Sequence, residues 1–549
     1  MTPYFNIASL LTVAAKEHPN EPAVICPHRA DVRKRTTLTF RELDLDSSIL
    51  ASSLLKQGLD PGDRVALMVK PGIDFYLLTF ALFKAGLVPV MADPGMGIRR
   101  MLSCFASGKP KGLIGIKLAH LASLAFPSYF KEIKARVTVG RSLGWGGATL
   151  EGLLRQGEPF NSPTLTQETD TAAILFTSGA TGPAKGVIYT HAMFRAQVET
   201  IRDNLGLKKG EAELVTFPLF GLFTPALSLT SVIADMNPTK PGTADPEKIA
   251  NAITEFQIKS LFASPALLTR LANYAKEKKI AFSNLRTVIC AGAPVRPSLV
   301  AQINEALDPE ARLFTPYGAT EGMPLTLIES HDILAARGMT EQGFGMCVGK
   351  PLPGCQIEII SISDKPLNSF QTKDLLRQGE VGELVARGPM VAESYFELPQ
   401  ATALTMVLGP DGQPWRRMGD LGWKDGVGRI WFCGRKSQRV IAATGVFYTI
   451  PCEAVFNNHP LVRRSALVGA TENEEIVPVL IVEPIKKLDK ARWDTLVGEL
   501  TTLAKANPRT RNIFLFLRKN EFPMDIRHNA KISREKLSVW AQKELDLQS

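Results

Sequence analysis

Ala172-Ala173-Ile174-Leu175-Phe176 runs directly into Thr177-Ser178-Gly179-Ala180-Thr181-Gly182-Pro183-Ala184-Lys185-Gly186. A short apolar strand breaks here into a loop that carries three hydroxyls, three glycines and one lysine. Such a loop suits the holding of phosphate oxygens. Glycines let backbone N–H groups approach closely, hydroxyls donate, and the lysine adds a point charge. The Walker form is excluded by its spacing, which needs a glycine just before the lysine and a hydroxyl just after it. Ala184 precedes Lys185 and Gly186 follows it. A plain connector needs only one or two special residues, so the stretch directs the reading toward nucleotide chemistry on an α/β scaffold.

The alternation around that loop agrees. Thr37-Leu38-Thr39-Phe40 has a strand pattern, Leu43, Leu50 and Leu54 then share a helical face, and Arg64-Val65-Ala66-Leu67-Met68-Val69 is a buried strand pattern. A helix over residues 74–85 leads to the strand Val88-Pro89-Val90. Three later strands end in small or polar loops: Ser260-Leu261-Phe262-Ala263 before Ser264-Pro265, Thr287-Val288-Ile289-Cys290 before Ala291-Gly292-Ala293-Pro294, and Leu313-Phe314-Thr315 before Pro316-Tyr317-Gly318-Ala319-Thr320-Glu321-Gly322. Strand–helix alternation predicts parallel sheets covered by helices, with the loops gathered at the carboxyl ends of the strands. The loops at 177, 292 and 317 are therefore expected to face one site. A boundary is expected after Gly434. Beyond it, strands near 466–468, 477–482 and 513–517 and a helix near 491–505 predict a small α/β unit with its own core.

A chain of 549 residues exceeds one hydrophobic core, so two or three domains are expected. Apolar residues at 45% and charged residues at 21% are ordinary globular composition. The net charge of +10 is spread along the chain, densest over 509–536, either as a solvated basic face or as an attractor of an anionic substrate. No aromatic interleaving or nucleic-acid motif accompanies it, which argues against DNA or RNA binding. Seven cysteines without C-x-x-C spacing argue against a disulfide framework or zinc cluster and fit a reducing cytosol. No signal peptide is apparent, and the longest apolar stretch, 75–91, is broken by Lys84, Gly86 and Pro89. A cytoplasmic protein without a transmembrane segment is expected.

Four further segments join the phosphate loop: Tyr317-Gly318-Ala319-Thr320-Glu321, Gly419-Asp420, Gly434-Arg435, and Asn529-Ala530-Lys531-Ile532-Ser533-Arg534. In order and spacing the set resembles the core motifs of the adenylate-forming superfamily, from about residue 38 to residue 537. The resemblance implies a large N-terminal adenylation domain over 1–434, built of parallel sheets covered by helices plus a β-subdomain. A hinge at 435–438 and a small mobile C-terminal α/β lid over 439–549 would follow. It also implies ATP and Mg2+. Thr177, Ser178, Gly179, Thr181, Gly182 and Lys185 would hold the leaving β/γ-phosphates. Glu321 would ligate Mg2+, Thr320 would contact the α-phosphate, and Gly318 belongs to the same motif. Tyr317 and the turn of Gly292, Ala293 and Pro294 would sandwich adenine, and Asp420 would accept the ribose hydroxyls with Arg435 alongside. Lys531 would reach the developing charge at the α-phosphate and acyl oxygen.

Within that superfamily the chain resembles the β-lactone synthetases of bacterial long-chain olefin biosynthesis, including Phe217-Pro218-Leu219-Phe220-Gly221-Leu222-Phe223, Thr444-Gly445-Val446-Phe447-Tyr448-Thr449 and residues 522–531. The resemblance implies a 2-alkyl-3-hydroxy fatty acid as substrate, closure to a β-lactone after adenylation, and association with other enzymes of an olefin pathway. A long-chain acyl-CoA or acyl-carrier ligase shares the first step and is the alternative. A non-catalytic nucleotide scaffold is opposed by the presence of Lys185, Glu321, Asp420 and Lys531. Several positions depart from the superfamily pattern. Ala180 stands where Ser or Thr is common, Ala184 follows Pro183 before the lysine, and Ala530 replaces a glycine. Gly221 lies where many acyl-CoA synthetases carry a histidine, which either makes room for a branched substrate or serves a tight turn. Ser437 occupies the usual Asp or Lys hinge position. His191 and His528 are the nearest histidines to the motifs, and a structural role is expected of each.

Overall fold

The computed structural model describes residues 4–27, 36–142, 144, 147–160, 162–176, 184–524 and 531–547. The local signals work as chemistry requires. Thr39 closes the strand Thr37–Thr39 and caps the helix Phe40–Lys56. Its hydroxyl accepts from the Glu42 N–H at 3.2 Å while the Glu42 carboxylate accepts from the Thr39 N–H at 2.8 Å. Leu43, Leu50 and Leu54 are fully buried on that helix, each contributing roughly 1.5–3 kcal/mol. They pack in one core with Leu77, Leu78 and Leu82 of the helix Ile73–Lys84. That helix is apolar almost all round because it is buried almost all round.

Among the described residues these helices cover a sheet of seven strands. Its order is Ala148–Thr149, Ala135–Val139, Gly112–Ile116, Arg64–Met68, Val88–Ala92, Thr171–Phe176 and Gly186–Thr190. All pairings are parallel except the last, where Gly186–Thr190 returns antiparallel to Thr171–Phe176. The phosphate-loop stretch thus joins two neighbouring strands, with Lys185 at the foot of the second. Residues 177–183, and with them Thr177, Ser178, Gly179, Thr181 and Gly182, lie outside the described residues.

A second, mixed sheet carries fourteen described strands. Pro22–Ile25, Thr230–Ile233, Ala212–Val215, Ser260–Ala263, Thr287–Cys290 and Arg312–Ala319 lie parallel. Beyond them the sheet turns antiparallel through Gly322–Glu329, Met346–Pro351, Ile430–Arg435, Pro414–Lys424, Gly382–Arg387 and Gln356–Ile360. One expectation needs correction. Residues 316–319 are not a loop after a strand but its extended end, and Thr320-Glu321 turns the chain back into Gly322–Glu329. Gly318 permits this, because a Cβ there would lie 2.4 Å from the Gly322 carbonyl oxygen.

The last part of the chain forms its own sheet of Val462–Glu472, Glu475–Pro484 and Leu515–Arg518. Alternate residues feed two cores. Leu467 and Leu480 pack with Phe456, Leu496 and Leu500, while Ala466, Val468, Val479 and Ile481 pack with Leu537 and Ala541. The dense basic stretch is partly structural. Arg509 stacks 4.0 Å from the Phe344 ring centroid, Arg518 donates to the Leu488 carbonyl at 2.7 Å, and Arg534 pairs with buried Glu453 at 2.6 Å. All seven cysteines are free and buried. No described helix is long and apolar enough to cross a membrane.

Candidate active site

The antiparallel half of the large sheet brings distant motifs together by register. Asp420 of Pro414–Lys424 pairs with Arg435 of Ile430–Arg435. Tyr317 reaches across, and its hydroxyl donates to Asp420 Oδ2 at 2.8 Å. The Arg435 guanidinium lies 3.0 Å from Oδ1 but without the alignment of a hydrogen bond, and its Nη1 donates instead to the Met418 carbonyl at 3.3 Å. Oδ1 is therefore a buried carboxylate oxygen with no hydrogen-bond donor among the described residues. Asp420 is only 2% exposed. Burial pushes its carboxyl above the usual range, opposed by the Arg435 charge, the Tyr317 hydrogen bond and the Lys531 charge. Burial and the Asp420 charge together hold the Tyr317 phenol far above its ordinary value, so it remains a donor.

Lys531, on the C-terminal unit, is exposed, and its charge acts on Asp420 against the effect of burial. Its loop is fixed immediately downstream. Ser533 N–H donates to the Pro523 carbonyl at 2.8 Å, and the Arg534 fork binds both Glu453 oxygens while also reaching Gln438 Oε1 at 3.4 Å.

The turn at Thr320-Glu321 is held from behind. The Thr320 carbonyl accepts from the Tyr189 hydroxyl, the Glu321 carbonyl accepts from the Ala392 N–H at 2.7 Å, and Glu321 Oε1 accepts from the Tyr395 hydroxyl at 2.9 Å. Lys185 Nζ stands 5.0 Å from the Tyr395 ring centroid. Gly292, with φ +102°, begins the turn with Ala293 and Pro294 after Thr287–Cys290. The parallel register that matches Ile289 with Phe314 carries this turn alongside Tyr317. The described members, Lys185, Gly292, Ala293, Pro294, Tyr317, Gly318, Thr320, Glu321, Asp420, Arg435 and Lys531, therefore border one region.

Three residues of the region escaped the motif reading: Tyr189, Tyr395 and Arg416. Arg416 is 1% exposed, with its Cζ 4.6 Å from the Tyr395 ring centroid and its Nη1 on the Ala392 carbonyl. The available signal was an arginine in a strand otherwise built for burial. His191 is structural, as expected. It is buried, its Nδ1 accepts the Ile7 N–H at 3.2 Å, and burial lowers its pKa to about 4. His528 lies outside the described residues. Gly221 opens no extra room. A Cβ there would sit 2.2 Å from Tyr76 Oη and 2.6 Å from Val215 Cγ1, so tyrosine and valine fill the volume.

An aromatic wall leads away from the Thr320 turn. Tyr189 contacts Phe194 at 5.1 Å between centroids, Phe194 contacts Phe223 at 6.2 Å, Phe223 contacts Phe220 at 6.3 Å, and Phe220 stacks on Phe262 at 4.2 Å. Residues 11–396 match the AMP-binding enzyme family. The chain belongs to the AMP-binding enzymes. An olefin beta-lactone synthetase of Xanthomonas campestris pv. campestris is 43% identical over 550 residues, covering 98% of each chain. A protein of the same name from Stenotrophomonas maltophilia is 44% identical over 554 residues, covering 98% of this chain and 99% of its own. The fold recurs in O-succinylbenzoate coenzyme A synthetase of Bacillus subtilis in complex with ATP and magnesium ion. The TM-score is 0.76 at 21% identity, over 97% of this chain and all of the other (100%). This AMP-binding enzyme is an adenylate-forming ligase.

Proposed function

We propose that this ligase adenylates a long-chain 2-alkyl-3-hydroxy fatty acid and closes it to a β-lactone, releasing pyrophosphate and AMP. Near full-length similarity to two proteins named olefin beta-lactone synthetase carries the reading. The aromatic wall running from the Thr320 turn supports it, since a long alkyl chain needs apolar surroundings.

In the adenylation step a carboxylate oxygen attacks the α-phosphorus in line with departing pyrophosphate, so the protein's task is to position two anions and neutralise their charge. Asp420 Oδ1, a buried acceptor without a hydrogen-bond donor among the described residues, fits a ribose hydroxyl, with the Arg435 charge opposing the effect of burial on the carboxyl. Tyr317 and the turn of residues 292–294 flank the adenine position. The 177–183 loop and Lys185 receive the β/γ-phosphates. Thr320 contacts the α-phosphate, and Lys531 neutralises charge building there and on the acyl oxygen. Glu321 would suit Mg2+, because one carboxylate plus phosphate oxygens forms a reasonable shell. When bound, Mg2+ supplies Lewis-acid neutralisation of the phosphates.

Closure then needs no second substrate. The 3-hydroxyl oxygen bonds to the acyl carbon, the bond from that carbon to the AMP oxygen breaks, and the hydroxyl proton passes to the departing AMP phosphate, directly or through water. Tethering makes the nucleophile intramolecular. The site is cytoplasmic in this reading, with other olefin-pathway enzymes as partners. The test is incubation with ATP, Mg2+ and a 2-alkyl-3-hydroxy acid in the absence of coenzyme A. AMP release with a product lighter than the acid by one water is expected. Turnover only after coenzyme A is added, with a thioester as product, overturns the proposal in favour of an acyl-CoA ligase.

A further inference from the structure

Tyr395 lies between two groups that the adenylation reading assigns to metal and phosphate. It is 6% exposed. Its hydroxyl donates to Glu321 Oε1, and its ring contacts both Lys185 and the buried Arg416. The backbone ties the same residue to both partners' elements. Tyr395 bridges to Val187, and Phe396 N–H donates to the Gly186 carbonyl at 2.8 Å, just after Lys185. On the other side Val391 bridges to Gly322 and Ala392 N–H donates to the Glu321 carbonyl. Residues 391–396 thus strap the foot of the phosphate loop to the Glu321 turn, with Tyr395 as the side-chain contact common to both.

We propose that Tyr395 is a positioning residue that sets the Glu321 carboxylate and the Lys185 ammonium for Mg2+·ATP. The hydroxyl commits one carboxylate oxygen, so that the other is offered to the cation in a fixed direction. The ring gives the ammonium a weakly attractive face, which places it without neutralising it as a carboxylate would. Arg416 behind the ring is buried, and its Nη2 has no hydrogen-bond partner among the described residues. The inference rests on Glu321 as the Mg2+ ligand of the proposed adenylation.

The experiment uses the full-length protein and calorimetric binding of ATP and of AMP across an Mg2+ titration, for wild type, Tyr395→Phe, Tyr395→Leu and Glu321→Gln. Tyr395→Phe keeps the ring and loses only the hydroxyl. It is expected to keep AMP affinity within about twofold and to raise the Mg2+ concentration that half-saturates the tightening of ATP about tenfold, as loss of a hydrogen bond to a charged group does. Tyr395→Leu is expected to weaken ATP further while sparing AMP, which lacks the phosphates Lys185 serves. A wild-type Mg2+ curve for Tyr395→Phe beside a shifted curve for Glu321→Gln overturns the inference alone. A wild-type curve for both removes Glu321 as ligand and the inference with it. Equal loss of AMP and ATP binding in Tyr395→Phe also overturns it, since that marks general damage.

Discussion

Lys531 and Asp420 show how a site can be assembled from charges that never touch in sequence. Asp420 is buried with one oxygen lacking a hydrogen bond, Arg435 keeps it company, and Lys531 adds its field from another part of the chain. Lys531→Ala is expected to slow adenylation by roughly two to three orders of magnitude, the usual effect of removing a group aimed at transition-state charge. ATP affinity should change little. Pyrophosphate exchange and calorimetry measure the two, and a parallel collapse of ATP binding would count against the role. Glu321, Asp420, Arg435 and Lys531 could be picked out only as an ordered set of motifs resembling the adenylate-forming superfamily, since singly each reads as an ordinary turn or surface charge. Tyr395 and Arg416 could not be. An aromatic in a loop and an arginine in a strand have no characteristic spacing, and their meaning comes only from the partners that folding supplies.

Among the elements, the helix Pro218–Gly221 and the strand Ala212–Val215 in front of it make the sharpest case. Gly221 packs so closely on Tyr76 and Val215 that Gly221→Ala is expected to destabilise by about 1–3 kcal/mol through overpacking. Tyr76→Phe should recover part of the loss by removing the nearest atom. If denaturation midpoints show no such coupling between the two changes, the contact does not govern that glycine. Glu213 on the same strand accepts from the Thr224 hydroxyl, and burial pushes its carboxyl up to about 7. Between an ordinary value of about 4.3 and about 7 only the folded state keeps that proton, so its contribution to stability falls as pH rises through the window and is flat above it. Glu213→Gln should flatten that slope relative to wild type, and denaturation midpoints measured across the window decide it. Strand and helix positions here were readable from apolar period and from Ser264-Pro265, where Ser264 caps the helix Pro265–Lys278, whereas Phe40, read with the strand before it, opens the helix that Thr39 caps. The extended course of residues 316–319 was not, because Pro316 and Gly318 carry the signature of a loop, and only pairing with Gly322–Glu329 overrides it.

In the whole molecule the question is how the C-terminal unit that carries Lys531 is held. Across the seam Arg296 donates to the Arg463 carbonyl at 2.9 Å, Asn458 to the Glu341 carbonyl at 3.0 Å and Asn507 to the Gln342 carbonyl at 2.9 Å, and Arg509 stacks 4.0 Å from the Phe344 ring centroid. Contacts of this kind are each worth about 1 kcal/mol and break readily. The connection itself is anchored on its near side, where Lys436 Nζ binds Glu383 at 2.9 Å and the Ser363 carbonyl at 2.7 Å. Ser437 follows in the short turn Lys436–Gln438, and Gln438 meets Arg534 of the Lys531 loop. Resemblance placed the hinge here, but no periodicity could say which orientation the unit adopts, since that depends on a few weak contacts between surfaces. By resemblance, a thiol-dependent ligase of this superfamily would rotate its lid between half-reactions, whereas the proposed lactone closure, which takes no thiol, would need a different rotation or none. Ser437→Pro fixes φ near −65° and stiffens the hinge. In a β-lactone synthetase it is expected to leave pyrophosphate exchange and product formation within about threefold of wild type, because lactone closure draws on proximity already present in the adenylate. Retained exchange with accumulation of the acyl adenylate, followed by quenched-flow sampling, would mean that rotation is required after all, and the single-orientation mechanism would fall.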